Sequence, residues 1–127
     1  MRGVKHLTAL VLAVVVGAFP AGAAVGAPSV CGRPGAPPCP LQRWMRDNAA
    51  VGYAKRDAAG LATVLERAAA LNPEPERWRK WGTIALSGAS RVRRGGANAA
   101  LTTCVGCHDT YRAEYVKSYR TRRVPAK

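Results

Sequence analysis

Five consecutive residues carry the clearest chemistry in this 127-residue chain: Cys104-Val105-Gly106-Cys107-His108. The pattern is C-x-x-C-H, the attachment sequence of a c-type haem. Two thiols three residues apart on one helical turn reach neighbouring pyrrole edges and add to the haem vinyl groups as thioethers. The imidazole that follows coordinates the iron from the proximal face. This predicts Cys104 and Cys107 as attachment residues, His108 as an iron ligand, and one covalent haem c as cofactor. Two rival readings stand beside it. A redox dithiol would need a βαβ context, which the sequence does not offer, and it leaves His108 without a task. A zinc site would recruit all four cysteines, Cys31, Cys39, Cys104 and Cys107, but the first pair is poorly spaced for it.

Residues 1–23 read as a secretory signal. Arg2 and Lys5 form a positive start, Leu7 to Ala18 an apolar stretch, and Ala21-Gly22-Ala23 a small-residue cleavage motif. Cleavage after Ala23 is preferred to cleavage near Ala27, where Pro28 would follow directly. The apolar stretch is short for a membrane span, so an uncleaved anchor is the lesser reading. A lipidated Cys31 would lack a small residue just before it. A cleaved signal predicts a periplasmic protein, and covalent haem attachment takes place outside the cytoplasm. Cleavage removes Met1 and His6, leaving His108 as the remaining histidine and Met45 as the remaining methionine. Met45 is therefore the leading candidate for the second axial ligand, since a thioether raises the reduction potential and suits electron transfer. Ordinary core packing of Met45 with an open iron is the alternative. Lys55 and Lys80 are formal substitutes.

The elements that position these residues read as helical. Residues 24–40 form an irregular Ala/Gly/Pro arm in which export favours a Cys31–Cys39 disulfide. Residues 41–127 form the domain. Leu41, Trp44, Met45 and Asn48 mark a first helix over 41–54, with Pro40 at its start. Asp57 caps a second, whose apolar stripe is Leu61, Val64, Leu65, Ala68 and Leu71. Asn72-Pro73 ends it. Pro75 opens a third helix, with Glu74 and Glu76 at the positive end of its dipole and Trp78, Trp81, Ala85, Gly88 and Val92 on its inner face. Gly95-Gly96 stops it. Asn98 caps a fourth helix carrying Leu101, Cys104, Val105, His108, Tyr111, Tyr115 and Tyr119 inward, with the hydroxyls of Tyr115 and Tyr119 at the rim. No strand alternation appears. The expected fold is an all-α, antiparallel four-helix bundle with the haem on its last helix. Alanines and glycines on the inner faces permit close approach and leave room between helices.

The string Cys104-x-x-Cys107-His108-x-x-Tyr111-Arg112, late in the chain and inside the last helix, resembles the class II c-type cytochromes, the cytochrome c-prime and c-556 group. That resemblance implies a four-helix bundle, with Tyr111 and Arg112 lining the haem neighbourhood and Arg112 available to a haem propionate. It also implies a first-helix distal residue, here Met45, that ligates the iron in the c-556 type. The c-prime type has an apolar residue there and a five-coordinate iron. Homodimerisation through the first helices follows from the same resemblance.

Twenty Lys and Arg against seven Asp and Glu give a formal charge of +13, falling by two to +11 after cleavage. Export and the lack of a recognition motif argue against nucleic acid. The basic surface suits docking to an acidic redox partner protein or peripheral association with anionic membrane. No nucleophile–base pair or paired carboxylates are visible, so no enzyme is expected. The sequence predicts an exported single-electron carrier, with a gas-binding haem protein for nitric oxide or carbon monoxide as the alternative.

Overall fold

The computed structural model describes residues 31–125. Residues 1–30, on which the expected signal and the first part of the arm fall, and the last two residues lie outside them. Among the described residues the protein is all-α, with four helices and no strand. None of these helices is long and apolar enough to cross a membrane.

The first helix, α1, spans 40–54 in three pieces: Pro40–Met45, a widened turn at Arg46–Ala50, and Val51–Ala54. Proline opens it because the missing N–H would have no partner there. Gln42 Oε1 accepts from the backbone N–H of Cys39 at 3.2 Å, tying the helix to the arm. Cys31 and Cys39 are disulfide-bonded, with Cα atoms 4.9 Å apart.

The second helix, α2 (Ala58–Ala69), begins as expected. Asp57 Oδ1 accepts from the Gly60 N–H at 2.9 Å, satisfying one of the donors that a helix start leaves open. Its stripe is buried at Leu61, Leu65 and Ala68, and Leu71 is buried just beyond its end.

The third helix, α3 (Lys80–Gly95), starts five residues later than Pro75. The cause is Asn72. Its Oδ1 accepts from the Glu74 N–H at 3.0 Å and its Nδ2 donates to the Trp78 carbonyl at 3.0 Å. This Asx arrangement holds 72–78 as a loop and turns Trp78 into the core before the helix begins. Glu74 and Glu76 therefore pair with Arg77 and Arg79 on the surface instead of meeting a helix dipole. Gly96, with φ of +77°, ends α3 in the left-handed region that glycine adopts without steric cost.

The fourth helix, α4 (97–118), opens with a tight turn at Ala97–Ala99, runs as Ala100–Cys107, widens at His108–Arg112 and closes with Ala113–Ser118. Asn98 does not cap it. Its side-chain oxygen instead accepts from Arg56 Nη1 at 3.1 Å, bridging to the loop before α2. Leu101 and Val105 are about half exposed rather than inward.

The core has two halves. One joins Leu61, Ala62, Leu65, Ala89, Val92, Ala97 and Ala100. The other joins Leu41, Leu71, Trp78, Trp81, Tyr111 and Tyr115. α3 and α4 approach closely at Gly88, where an added Cβ would lie 2.4 Å from Thr103 Cγ2. Thr103 is buried, and its hydroxyl accepts from Arg91 Nη2 at 2.8 Å, so it cannot turn aside without losing that bond. Gly88→Ala is expected to force the helices apart and cost about 1–3 kcal/mol, the usual penalty of overpacking. Urea denaturation of the variant measures it.

Candidate functional site

Cys104 and Cys107 lie one turn apart at the end of the regular part of α4, both partly buried and both free thiols. His108 follows at the first position of the widened turn. Two adjoining cavities meet at these residues. The larger, about 360 Å³, is lined by Cys107, His108, Tyr111, Arg112 and Arg120 from the C-terminal part of the chain, by Trp81 of α3, by Met45 of α1, and by the Cys31–Cys39 arm. The smaller, about 300 Å³, adds Cys104 and Leu101, with Ala49, Ala50, Ala68 and Ala85 giving it an almost wholly apolar wall. Met45, Trp81, Cys107 and His108 line both. These volumes fall in the range of about 300–1,000 Å³ usual for ligand clefts.

The structure thus brings together all six sequence-predicted residues: Cys104, Cys107, His108, Tyr111, Arg112 and Met45. Tyr111 is buried against Trp78 and Trp81, with ring centroids 5.3 and 5.4 Å away. Arg112 is exposed and makes no ion pair among the described residues. Lys55 and Lys80 line neither cavity and are exposed, so the structure offers no support for them as ligands. The zinc reading fails on geometry. Cys31 and Cys39 are bonded to each other, and no cluster of three or more His, Cys, Asp or Glu side chains exists among the described residues.

Two features escaped sequence reasoning. Both axial candidates sit where a helix widens: Met45 immediately precedes the Arg46–Ala50 turn, and His108 begins the other. Such turns often occur at functional sites. Each contains a polar side chain bonded to the carbonyl four residues back. Asn48 Nδ2 donates to the Trp44 carbonyl at 2.8 Å, and Thr110 Oγ1 to the Gly106 carbonyl at 2.7 Å. These bonds occupy carbonyls that a widened ladder passes over. The second feature is Arg120, which joins Arg112 in the wall of the larger cavity.

A flat, largely apolar macrocycle fits this setting on three observations. The thiols and imidazole share one cavity wall. The walls are mostly apolar, with Arg112 and Arg120 lining the larger cavity and Arg46 the smaller. Three of the large apolar side chains left exposed, Tyr53, Leu101 and Val116, line these cavities, where such a group would cover them.

Burial holds the two thiols in their protonated form, Cys107 up to about 11, with the neighbouring Cys104 adding to the shift. Partial burial first, and the Arg112 guanidinium second, push the His108 pKa down, with Asp109 opposing. The imidazole therefore stays neutral at pH 7, the form that binds a metal. Comparison with protein-family models, curated proteins and solved structures finds no match.

In the chain lacking any attached group, Cys107 should carry about a hundredfold less thiolate at pH 8 than an unperturbed thiol. The greater nucleophilicity of a high-pKa thiolate offsets part of this, leaving alkylation by iodoacetamide about tenfold slower. Because the folded state holds these protons more tightly, stability should fall as pH rises above the ordinary thiol value of 9.0. Alkylation rates and a pH series of urea midpoints check both.

Proposed function

We propose that this chain is an exported mono-haem c-type cytochrome of the class II group, an antiparallel four-helix bundle that carries single electrons. One observation supports it above the rest. The C-x-x-C-H residues of α4 and Met45 of α1 line the same pair of mostly apolar cavities. When bound, haem c supplies a one-electron iron couple that no side chain here can provide.

The residues then divide the work. Cys104 and Cys107 would hold the group through thioethers, so it cannot dissociate in the periplasm. His108, kept neutral by its surroundings, would present a lone pair to the iron. Met45 would offer its thioether from the first helix. Tyr111, wedged under Trp78 and Trp81, fixes the turn that carries His108. Arg112 and Arg120, both free of carboxylate partners among the described residues, would neutralise the propionates. Beyond the site, Arg94, Lys117 and Arg123 also make no ion pair among the described residues, whereas Arg93 is engaged by Glu66 and Arg91 by Thr103. The unengaged cations would steer an acidic redox partner.

A second reading, gas binding at a five-coordinate iron, draws support from the smaller cavity. Its apolar, alanine-rich wall beside Met45 leaves space for a diatomic molecule. Visible absorption of the haem-loaded protein separates the two. Electron transfer with Met45 ligation gives a sharp low-spin reduced spectrum unaltered by carbon monoxide, and Met45→Ala turns it high-spin and gas-sensitive. A low-spin spectrum that survives Met45→Ala removes Met45 as ligand. A wild-type spectrum already high-spin and shifted by carbon monoxide favours the gas-binding reading.

A further inference from the structure

The described residues contain three tryptophans and four tyrosines, and five of these rings form one connected column. It starts at the candidate site. Trp81 and Tyr111, with centroids 5.4 Å apart, stand in the wall of the larger cavity with Cys107 and His108. Trp78 is next, 5.8 Å from Trp81 and 5.3 Å from Tyr111. Tyr119 follows, 5.5 Å beyond Trp78 and edge-on to it. Tyr115 makes a parallel branch, 6.1 Å from Trp81 and 5.9 Å from Tyr119. Four of the rings are buried, and Tyr119 is half-buried at the far end. The other half of the core contains no aromatic ring and packs with Leu, Val and Ala. Filling space in this fold therefore does not by itself call for rings.

Proton chemistry gives the column a direction. An indole can lose an electron and keep its N–H, and that of Trp81 is fixed by a 2.8 Å bond to the Ala68 carbonyl. A phenol loses its proton along with the electron. The Tyr115 hydroxyl is buried with no hydrogen-bond partner, so its proton has no acceptor. The Tyr119 ring is half-buried and can release its proton to water.

We propose that the column is a one-electron outlet, carrying an oxidising equivalent from the site to a resting place on Tyr119. The inference rests on the haem reading in its second form, with the iron open to a small molecule, and the oxidant it names is a peroxide. Ferrous iron, the Tyr119 phenol, hydrogen peroxide and one proton give ferric iron, the Tyr119 phenoxyl radical and two waters. The O–O bond breaks. One electron comes from the iron and one from Tyr119, and the phenolic proton leaves to solvent.

The test mixes the reduced, haem-loaded chain with hydrogen peroxide, freezes it, and reads electron paramagnetic resonance. A tyrosyl signal is expected that is lost in Tyr119→Phe, retained in Tyr53→Phe and slower to form in Trp78→Phe. Tyr119→Phe keeps the ring, so an unchanged resting absorption spectrum shows that packing survives. A signal that survives Tyr119→Phe, a signal removed by Tyr53→Phe, or no tyrosyl signal at all overturns the inference. A chain that takes no covalent haem, seen in the absorption spectrum before peroxide is added, defeats the proposed function and this outlet with it.

Discussion

Much of this molecule depends on where Trp81 sits. Its indole N–H donates to the Ala68 carbonyl at 2.8 Å, in a buried setting. That carbonyl belongs to the last turn of α2 and also accepts the Leu71 backbone N–H at 3.0 Å, just past the helix end. The indole bond seats the start of α3 against the end of α2 and fills the second lone pair of that carbonyl. The same ring stacks on Trp78, 5.8 Å away, and forms a wall of both cavities. Trp81 thus belongs to the aromatic half of the core and to the site at once. A side chain unable to donate there would leave the Ala68 carbonyl with the Leu71 N–H alone and untie the start of α3 from the end of α2.

The site lies where the core is deliberately thin. Small residues on the inner faces do two different things. Gly88 lets α3 and α4 touch at Thr103, which closes one region tightly. Ala49, Ala50, Ala68 and Ala85 fall short of filling another, which leaves the smaller cavity. A short chain cannot bury a large core, and small domains commonly add a staple or a cofactor. The Cys31–Cys39 bond is one such device here, and it also closes a side of the larger cavity. A covalently held macrocycle would be the other.

Much of this was legible in the sequence. The Asp57 cap, the α2 stripe and the Gly96 stop follow from local rules, because each is decided within a few residues. The six candidate residues were named from the sequence, three from the C-x-x-C-H spacing, Met45 as the thioether left after the expected cleavage, and Tyr111 and Arg112 from the family resemblance; the structure sets all six along the two cavities. What was not legible depends on competition between local rules and distant partners. Pro75 is a good helix opener, yet Asn72 captured the chain first. Asn98 is a good cap, yet Arg56 drew its oxygen away. Tyr115 was expected with its hydroxyl at the rim and instead buries it without a partner. The widened turns had a weak signal in Asn48 and Thr110, polar residues inside helices. That signal alone is insufficient: Thr63 makes the same bond to the Ala59 carbonyl in α2, and no turn widens there.

Everything proposed for this site depends on covalent attachment at Cys104 and Cys107. The most direct measurement is the intact mass, under denaturing conditions, of the chain produced with a haem-attachment apparatus. The expected result is a mass raised by one haem that survives denaturation and disappears when both cysteines are replaced by serine. An unmodified mass in which Cys104 and Cys107 remain free thiols would contradict it.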